Sequence, residues 1–552
     1  MNKQEKIQSL RDQYSIVDLI DLSEMITIPI YQQKNLLTEK LEKIYRSEYA
    51  ESERILFVFD RYDKNLLITL QQVLNRVDIS NYFCIFLFPG EFLVKNALDD
   101  LKSVSTDPID IVVDWFVPSG KGSIYSNPAP TKLDVSELNL QEKKLLYESK
   151  TFCIYPWIHL HAYPTGEAWP CCHAEMSAGS VGNAKTHSLE RIWNSDRMKE
   201  LRSNMLTEKS DRLCVRCYEQ EDAGFLSGRK SANGHHGHHI SRVSETQPDG
   251  HLDRFEMTYW DVRFSNLCNL SCRSCGHIFS SSWYQDQVKL AGPDWAKKNK
   301  PLNIAGRDPD DMWNQLLSHI DFVEQIYFAG GEPLMMDEHY RILEELERRG
   351  RFDVRLTYNT NFTQTKLKDR TVFDYWKKFK NVSVGASLDA MGPRAEYIRK
   401  GTDWAVVEEN RIKMMEICPD VDFYISSTLS IMNAWHLPDF HKNWTDRGLI
   451  RAQDFNVNIL QDPPHYRMDI APMKYKQRLR IKYEEHLEWL RPQDHLNRAS
   501  QGFASAINFM MNIDNTGLIE KFWKKSHQLD QIRDENILIV LPELGALVAD
   551  SA

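Results

Sequence analysis

Long apolar runs are scarce in this sequence. The most apolar stretch, residues 82–94, is interrupted by Pro89, Gly90 and Glu91 and is too short to span a bilayer. Residues 1–6 carry no apolar signal region. The expectation is a cytoplasmic protein with no membrane partner. An excess of positive charge is missing too. The 68 Lys and Arg stand against 78 Asp and Glu, and the net charge of -10 removes the electrostatic basis for general nucleic-acid binding. The N-terminal strand–helix alternation contains no phosphate loop or dinucleotide fingerprint. Cysteines number only 10 in 552 residues, yet seven of them are candidate ligands in two clusters. That suits reduced thiolates in a reducing compartment better than a disulfide framework.

What is present is a chain long enough for three or four domains. Its 42% hydrophobic and 26% charged residues are the composition of a globular protein able to bury sizeable cores. The chain is organised around residues 264–277, where Cys268, Cys272 and Cys275 fall within eight positions. Spacings of four and seven would align on one helix face, but Asn266, Asn269, Ser271, Ser274 and Gly276 are loop formers. Zinc usually draws four ligands from two separated pairs, so a trio leaves it one short. For an iron–sulfur cluster the trio leaves one iron uncovered, able to bind something else.

This Cys-x3-Cys-x2-Cys resembles the signature of the radical S-adenosylmethionine (SAM) superfamily. The resemblance implies that the catalytic cysteines Cys268, Cys272 and Cys275 hold a [4Fe–4S] cluster whose open iron chelates SAM. It further implies one-electron cleavage of SAM to methionine and a 5′-deoxyadenosyl radical, which abstracts hydrogen from the substrate. A reductant such as flavodoxin or ferredoxin is then a partner. Ser274 stands where many members carry an aromatic residue, so no adenine contact is expected from that position. Gly330, Gly331, Glu332 and Pro333 follow a strand-like run and resemble the superfamily's Gly-Gly-Glu-Pro motif. That motif implies contacts to the SAM amino group, since glycines allow close backbone approach and a carboxylate complements an ammonium. By the same resemblance Asn359 and Ser387 are candidates for the ribose hydroxyls and Arg399 for the SAM carboxylate. Arg399 is equally readable as a surface ion pair.

A second constellation precedes the first. Cys153 leads into a hairpin pattern over 158–171 that ends on Cys171, with Cys172 adjacent. A helix-like stretch over 188–203 is followed by Cys214 and Cys217. Taken alone the set is as consistent with a zinc ribbon as with a cluster, because Cys-x2-Cys opposite two other cysteines is zinc-like. The ordered pattern Cys153-x12-Gly166-x4-Cys171, then Cys214-x2-Cys217, looks like the twitch form of the SPASM domain. That resemblance implies one auxiliary [4Fe–4S] cluster on Cys153, Cys171, Cys214 and Cys217, with Cys172 a spare or an alternative ligand. In most relatives this module follows the barrel; here it precedes it. Residues 234–239 contain four histidines with no acidic or thiol partner nearby in sequence. They read as a flexible polar loop, with a metal site or a charged lid as alternatives.

Along the chain, residues 1–48 read as helical and 49–130 as a small α/β domain, with strands over 55–60, 82–88 and 109–115, helices over 66–77 and 91–103 and a linker over 118–130. Residues 150–230 form the auxiliary-cluster domain, 231–253 a His-rich linker, 254–470 a βα array and 471–552 amphipathic C-terminal helices. About six βα units with functional residues at strand C-termini predict a partial (β/α)6 barrel, not a closed eightfold one. The fold class expected is therefore α/β. The resemblance implies a radical SAM enzyme, oxidoreductase or peptide-modifying maturase, whose substrate is a peptide or protein recognised with help from the N-terminal domain. The alternatives are oxidation or rearrangement of a small molecule of sugar or aminocyclitol type, and a non-catalytic iron–sulfur or zinc scaffold.

Overall fold

The computed structural model describes residues 138–222 and 227–549, Leu133, and the backbone of three strands nearer the N-terminus. Those strands, β1 (Ile26–Ile30), β2 (Ile55–Phe59) and β3 (Tyr82–Phe86), form a parallel sheet in the order β1-β2-β3. They belong to a compact unit, Met1–Ser126. β2 and β3 fall on the apolar runs that predict them. β1 corrects the expectation of helix over 1–48. Its Ile26, Thr27, Ile28 and Ile30 are β-branched, which favours extended backbone. Pro29 is tolerated because β1 is an edge strand. The helices over 66–77 and 91–103, the strand over 109–115 and the linker over 118–130 lie outside the described residues.

The second unit, Asn127–Ala552, is built on one nine-stranded sheet. Three short strands come first: β4 (His161–Ala162), β5 (Glu167–Trp169) and β6 (Gly182–Asn183), an antiparallel meander. β7 (Tyr259–Val262) follows, and then β8 (Ser271–Cys272) inside the cysteine loop. β9 (Gln325–Phe328) and β10 (Arg355–Thr360) continue the sheet, and β11 (Lys366–Leu367) and β12 (Arg370–Thr371) form a separate hairpin. β13 (Val382–Ala386), β14 (Arg399–Lys400), β15 (Asp422–Leu429) and β16 (Phe455–Ile459) complete the set. The six strands β7, β9, β10, β13, β15 and β16 are parallel neighbours in chain order, as a partial (β/α)6 barrel requires. β4 then adds to the free edge of β7 in parallel, His161 opposite Asp261. The module that comes first in sequence thus extends the barrel sheet.

Alternation along the strands sorts the residues into two faces. Ile326, Phe328, Leu356, Tyr358, Val384 and Ile425 are fully buried, and Phe328 stacks on Tyr358 at 5.0 Å beneath His339 of helix Asp337–Arg348. Each such side chain contributes about 1.5–3 kcal/mol by leaving water. The other face is polar: Asp261 lies opposite Tyr327, and Asn359, Gly385 and Tyr424 are in register across three strands.

The four-histidine stretch 234–239 is helical and not a loop. Helix Gly228–His236 runs into the 3-10 turn Gly237–Glu245. Glycine and histidine are poor helix formers, but tertiary contacts override them here. Ser227 caps the helix, accepting from Lys230 N. Buried Arg229 donates to Glu221 Oε1 at 2.9 Å and to Phe152 O at 2.8 Å, and Asn233 Oδ1 accepts from Ile154 N at 2.9 Å.

Candidate active site

The cysteine loop is held by polar residues that the sequence marks as turn formers. Asn266 Nδ2 donates to His277 O at 2.8 Å, and Ser280 and Ser282 donate to Leu270 O at 2.5 Å and Cys268 O at 2.7 Å. Trp283, opening the helix Trp283–Ala291, donates from Nε1 to Cys272 O at 2.8 Å. The loop brings Cys268, Cys272 and Cys275 together as partly buried free thiols. Burial, reinforced by the neighbouring sulfurs, pushes Cys268 and Cys275 up to about 12. Iron at such a site deprotonates its thiols outright. Donors already point at two of the sulfurs: Leu270 N at 3.5 Å and Asn361 Nδ2 at 3.9 Å from Cys268 Sγ, and Arg399 Nη1 at 3.8 Å from Cys272 Sγ. Three sulfurs with converging N–H groups fit an iron–sulfur cluster with one iron left open.

The Gly-Gly-Glu-Pro turn abuts this loop. Glu332 N donates to Leu267 O at 2.6 Å. Gly330 and Gly331 have φ of +76° and +41°, and a Cβ on Gly331 would sit 2.4 Å from Leu267 O. Only glycine allows the two backbones to meet so closely. Pro333 opens the short turn Pro333–Met335. Glu332 is fully buried, and its carboxylate accepts from Thr360 Oγ1 at 2.7 Å, Leu334 N at 3.1 Å and Asn361 N at 2.7 Å. A carboxylate has about four acceptor positions, so roughly one remains for a ligand. Asn359 sits near the end of β10, its Oδ1 beside the Tyr424 hydroxyl above Gly385, and Ser387 follows β13 with its N–H on Thr360 O. Arg399 pairs with Cys272 across β14 and β8, and its Nε donates to Asp389 Oδ2 at 2.8 Å.

The other four candidate cysteines, Cys153, Cys171, Cys214 and Cys217, line one cavity, with Tyr155, Pro170 and Leu213 among its apolar walls. None is in a disulfide. Burial raises all four thiols, and Cys171 feels the other three, so the donor set fits a buried cluster. Cys172 is not on that wall. It lies against Asp261 and Arg263, with its thiol pushed up to about 12 by burial and then by Asp261.

Asp261, Arg263 and His161 were not singled out by the sequence. The signal for Asp261 and Arg263 is period-two alternation in the strand before the cysteine loop, which places Tyr259, Asp261 and Arg263 on one face, whereas His161 joins them only through the β4–β7 pairing. Arg263 Nε is 3.0 Å from Asp261 Oδ1, and His161 Nδ1 is 3.0 Å from Asp261 Oδ2. Burial would raise the Asp261 carboxyl, but Arg263 and His161 hold it far below the usual range. Arg263 also packs on Gly330, its Cβ 2.8 Å from where a Gly330 Cβ would lie. A polar chain therefore runs from Cys172 through Asp261 and Arg263 to the Gly-Gly-Glu-Pro turn.

Residues 262–435 match the model of the radical SAM superfamily, and residues 153–218 match SPASM, an iron–sulfur cluster-binding domain. The chain thus carries a radical SAM domain and a SPASM domain. Its SPASM domain stands N-terminal of the radical SAM domain. A radical SAM domain implies a [4Fe–4S] cluster and SAM, and a SPASM domain binds auxiliary iron–sulfur clusters. Among solved structures, native anSMEcpe with bound AdoMet is similar at 18% identity over 43% of this chain and 62% of that one, with a TM-score of 0.28. The same protein with AdoMet and Kp18Cys peptide is 19% identical over 42% and 60%, TM-score 0.29. Streptococcus suis SuiB bound to S-adenosylmethionine is 16% identical over 56% and 66%, TM-score 0.29. The chain thus spans about three fifths of the first of these structures. No curated protein matches it. Among the described residues no helix is long and apolar enough to cross a membrane.

Proposed function

We propose that the protein is a radical SAM enzyme that abstracts hydrogen from a peptide or protein substrate. The supporting observation is the direct backbone contact between the Cys268–Cys275 loop and the Gly330–Pro333 turn, through Glu332 N and Leu267 O. When bound, the cluster and SAM supply the one-electron cleavage that starts the reaction. Cys268, Cys272 and Cys275 hold three irons. The turn and the remaining acceptor position of Glu332 take the SAM amino group, Asn359 and Ser387 the ribose and Arg399 the carboxylate. Cys153, Cys171, Cys214 and Cys217 hold the auxiliary cluster. The polar barrel face offers donors and acceptors of both kinds from Tyr327, Asn359, Tyr424, Asn456 and Asn458, the complement that amide-bearing substrates need.

Anaerobic reconstitution tests the reading. About eight irons per chain and 5′-deoxyadenosine formed from SAM under reductant, stimulated by a candidate peptide, are expected. Tightly bound zinc in place of iron, with no SAM cleavage, sinks it. Stimulation by aminocyclitols and not by peptides would retain the radical enzyme and replace the substrate.

A further inference from the structure

Away from the cysteines, the connector between the two modules brings three metal-binding side chains to one point. His238 Nε2 lies 2.7 Å and His239 Nε2 3.1 Å from the same carboxylate oxygen, Glu324 Oε2. The donor atoms all fall within 4.8 Å of one another. The two imidazoles are adjacent in the chain, yet their ring centroids are only 4.1 Å apart, so both turn to one side of the Gly237–Glu245 turn. The side chains are largely shielded, 11%, 11% and 29% exposed. The backbone fixes the carboxylate independently. Glu324 immediately precedes β9, its N donates to Thr258 O at 2.8 Å and its carbonyl accepts from Arg355 N at 2.9 Å. Beside the trio, the buried His236 ring lies 6.4 Å from that of His238, and its Nδ1 has no hydrogen-bond partner among the described residues.

We propose that His238, His239 and Glu324 bind a divalent cation, zinc being the best match, which ties the connector to the N-terminal ends of the barrel strands. Two imidazole nitrogens and one carboxylate oxygen are a donor set that zinc takes. Tetrahedral zinc spaces its ligand atoms by about 3.3 Å, so taking the ion opens the 2.7 and 3.1 Å pairs by roughly 0.6 and 0.2 Å, with the two nitrogens already within 4.8 Å of each other. The fourth position is left to water. β9 runs from Glu324 towards Gly330, which places the site at the opposite end of the strand from the Gly-Gly-Glu-Pro turn. The ion therefore has a structural role, separate from the SAM chemistry.

The test uses the full chain with its clusters reconstituted, incubated with zinc and passed over a desalting column, with zinc and iron counted per chain. One zinc is expected in the wild type and none above background in Glu324→Gln or His239→Gln, with iron unchanged in both. Zinc should also raise the thermal midpoint of the wild type alone. Failure of the wild type to retain zinc overturns the proposal, as does equal zinc in the wild type and in whichever variant keeps its iron. Either result leaves Glu324 as a carboxylate that simply accepts two imidazole N–H groups.

Discussion

Arg273 and Asp530, 257 positions apart in the chain, form a buried ion pair behind the cysteine loop. The Arg273 guanidinium also reaches Glu535 Oε2 at 2.6 Å and lies 3.7 Å from the centre of the Tyr397 ring. Asp530 in turn accepts from Tyr397 Oη and Ile537 N, each at 2.8 Å. Arg533, on the same helix Ile519–Arg533, donates to Ser271 O at 2.8 Å. The C-terminal helices therefore brace the loop between Cys272 and Cys275 from outside the radical SAM domain.

Removing that brace should be costly, because Arg273 keeps only Glu535 as a partner and the Tyr397 hydroxyl and Ile537 N–H lose their acceptor. Asp530→Ala is expected to destabilise the protein by about 1.5–3 kcal/mol, read by urea unfolding. It should also release the irons of the Cys268 site before those of the auxiliary site. Asp294→Ala, which breaks the exposed pair with Lys297, should change stability by no more than about 0.5 kcal/mol.

Glu332 sets a pH dependence. Burial pushes its carboxyl from the ordinary 4.5 to about 7, against the hydrogen bonds from Thr360, Asn361 and Leu334 that favour the charged form. The folded value lies above the unfolded one, so the stability it contributes is complete below about pH 4.5 and is lost as pH rises through about 7. Glu332→Gln keeps the neutral form at every pH. Its stability relative to the wild type should therefore climb between about pH 5 and 7, by up to about 1.4 kcal/mol per pH unit. SAM binding should run the other way in the wild type, strengthening as the carboxylate ionises to meet the ammonium, and be flat in the variant. Denaturation and calorimetric titration across that range check both. A parallel pair of stability curves would remove Glu332 as the titrating group.

Arg399 lies 3.8 Å from Cys272 Sγ and is balanced by Asp389 at 2.8 Å. A cation beside a cluster ligand favours the reduced, more negative state. Arg399→Gln should make the SAM-site cluster harder to reduce, by on the order of 50–100 mV for a unit charge at this range. Asp389→Asn should shift the potential the opposite way. An EPR-monitored redox titration, with iron content unchanged, reads both. Two shifts of the same sign would point to altered loop geometry and not to charge.

Much of this was legible because the signals are local. The βα array announces its six strands through short apolar runs, and the turn formers around Cys268 exclude a helix there. Other features depend on partners far along the chain. The helix Gly228–His236 is held by Phe152, 77 positions from Arg229, and Glu324 lies 86 positions from His238. The β4–β7 pairing rests on one residue pair, His161 with Asp261, too short for periodicity to reveal. β1 was readable from its β-branched run, but the charged surroundings of residues 1–48 outweighed it.

Cys171 and Cys172 test how far residue-level geometry reaches beyond the cysteine pattern. The pattern points to Cys171 and leaves Cys172 a spare or an alternative ligand, while the structure gives Cys171 to the cavity shared with Cys153, Cys214 and Cys217 and turns Cys172 towards Asp261 and Arg263. Cys171→Ala should therefore lower iron from about eight to about four per chain. Cys172→Ala should keep all eight and both clusters' spectra, because it removes a thiol from the barrel face and no ligand. Substrate-dependent turnover is then the informative readout for Cys172, since its thiol stands between the auxiliary cavity and the Arg263 that packs on Gly330. If Cys172→Ala loses half the iron while Cys171→Ala does not, the two sulfurs exchange roles on cluster assembly, and the polar chain from Cys172 to the Gly-Gly-Glu-Pro turn must begin at Asp261.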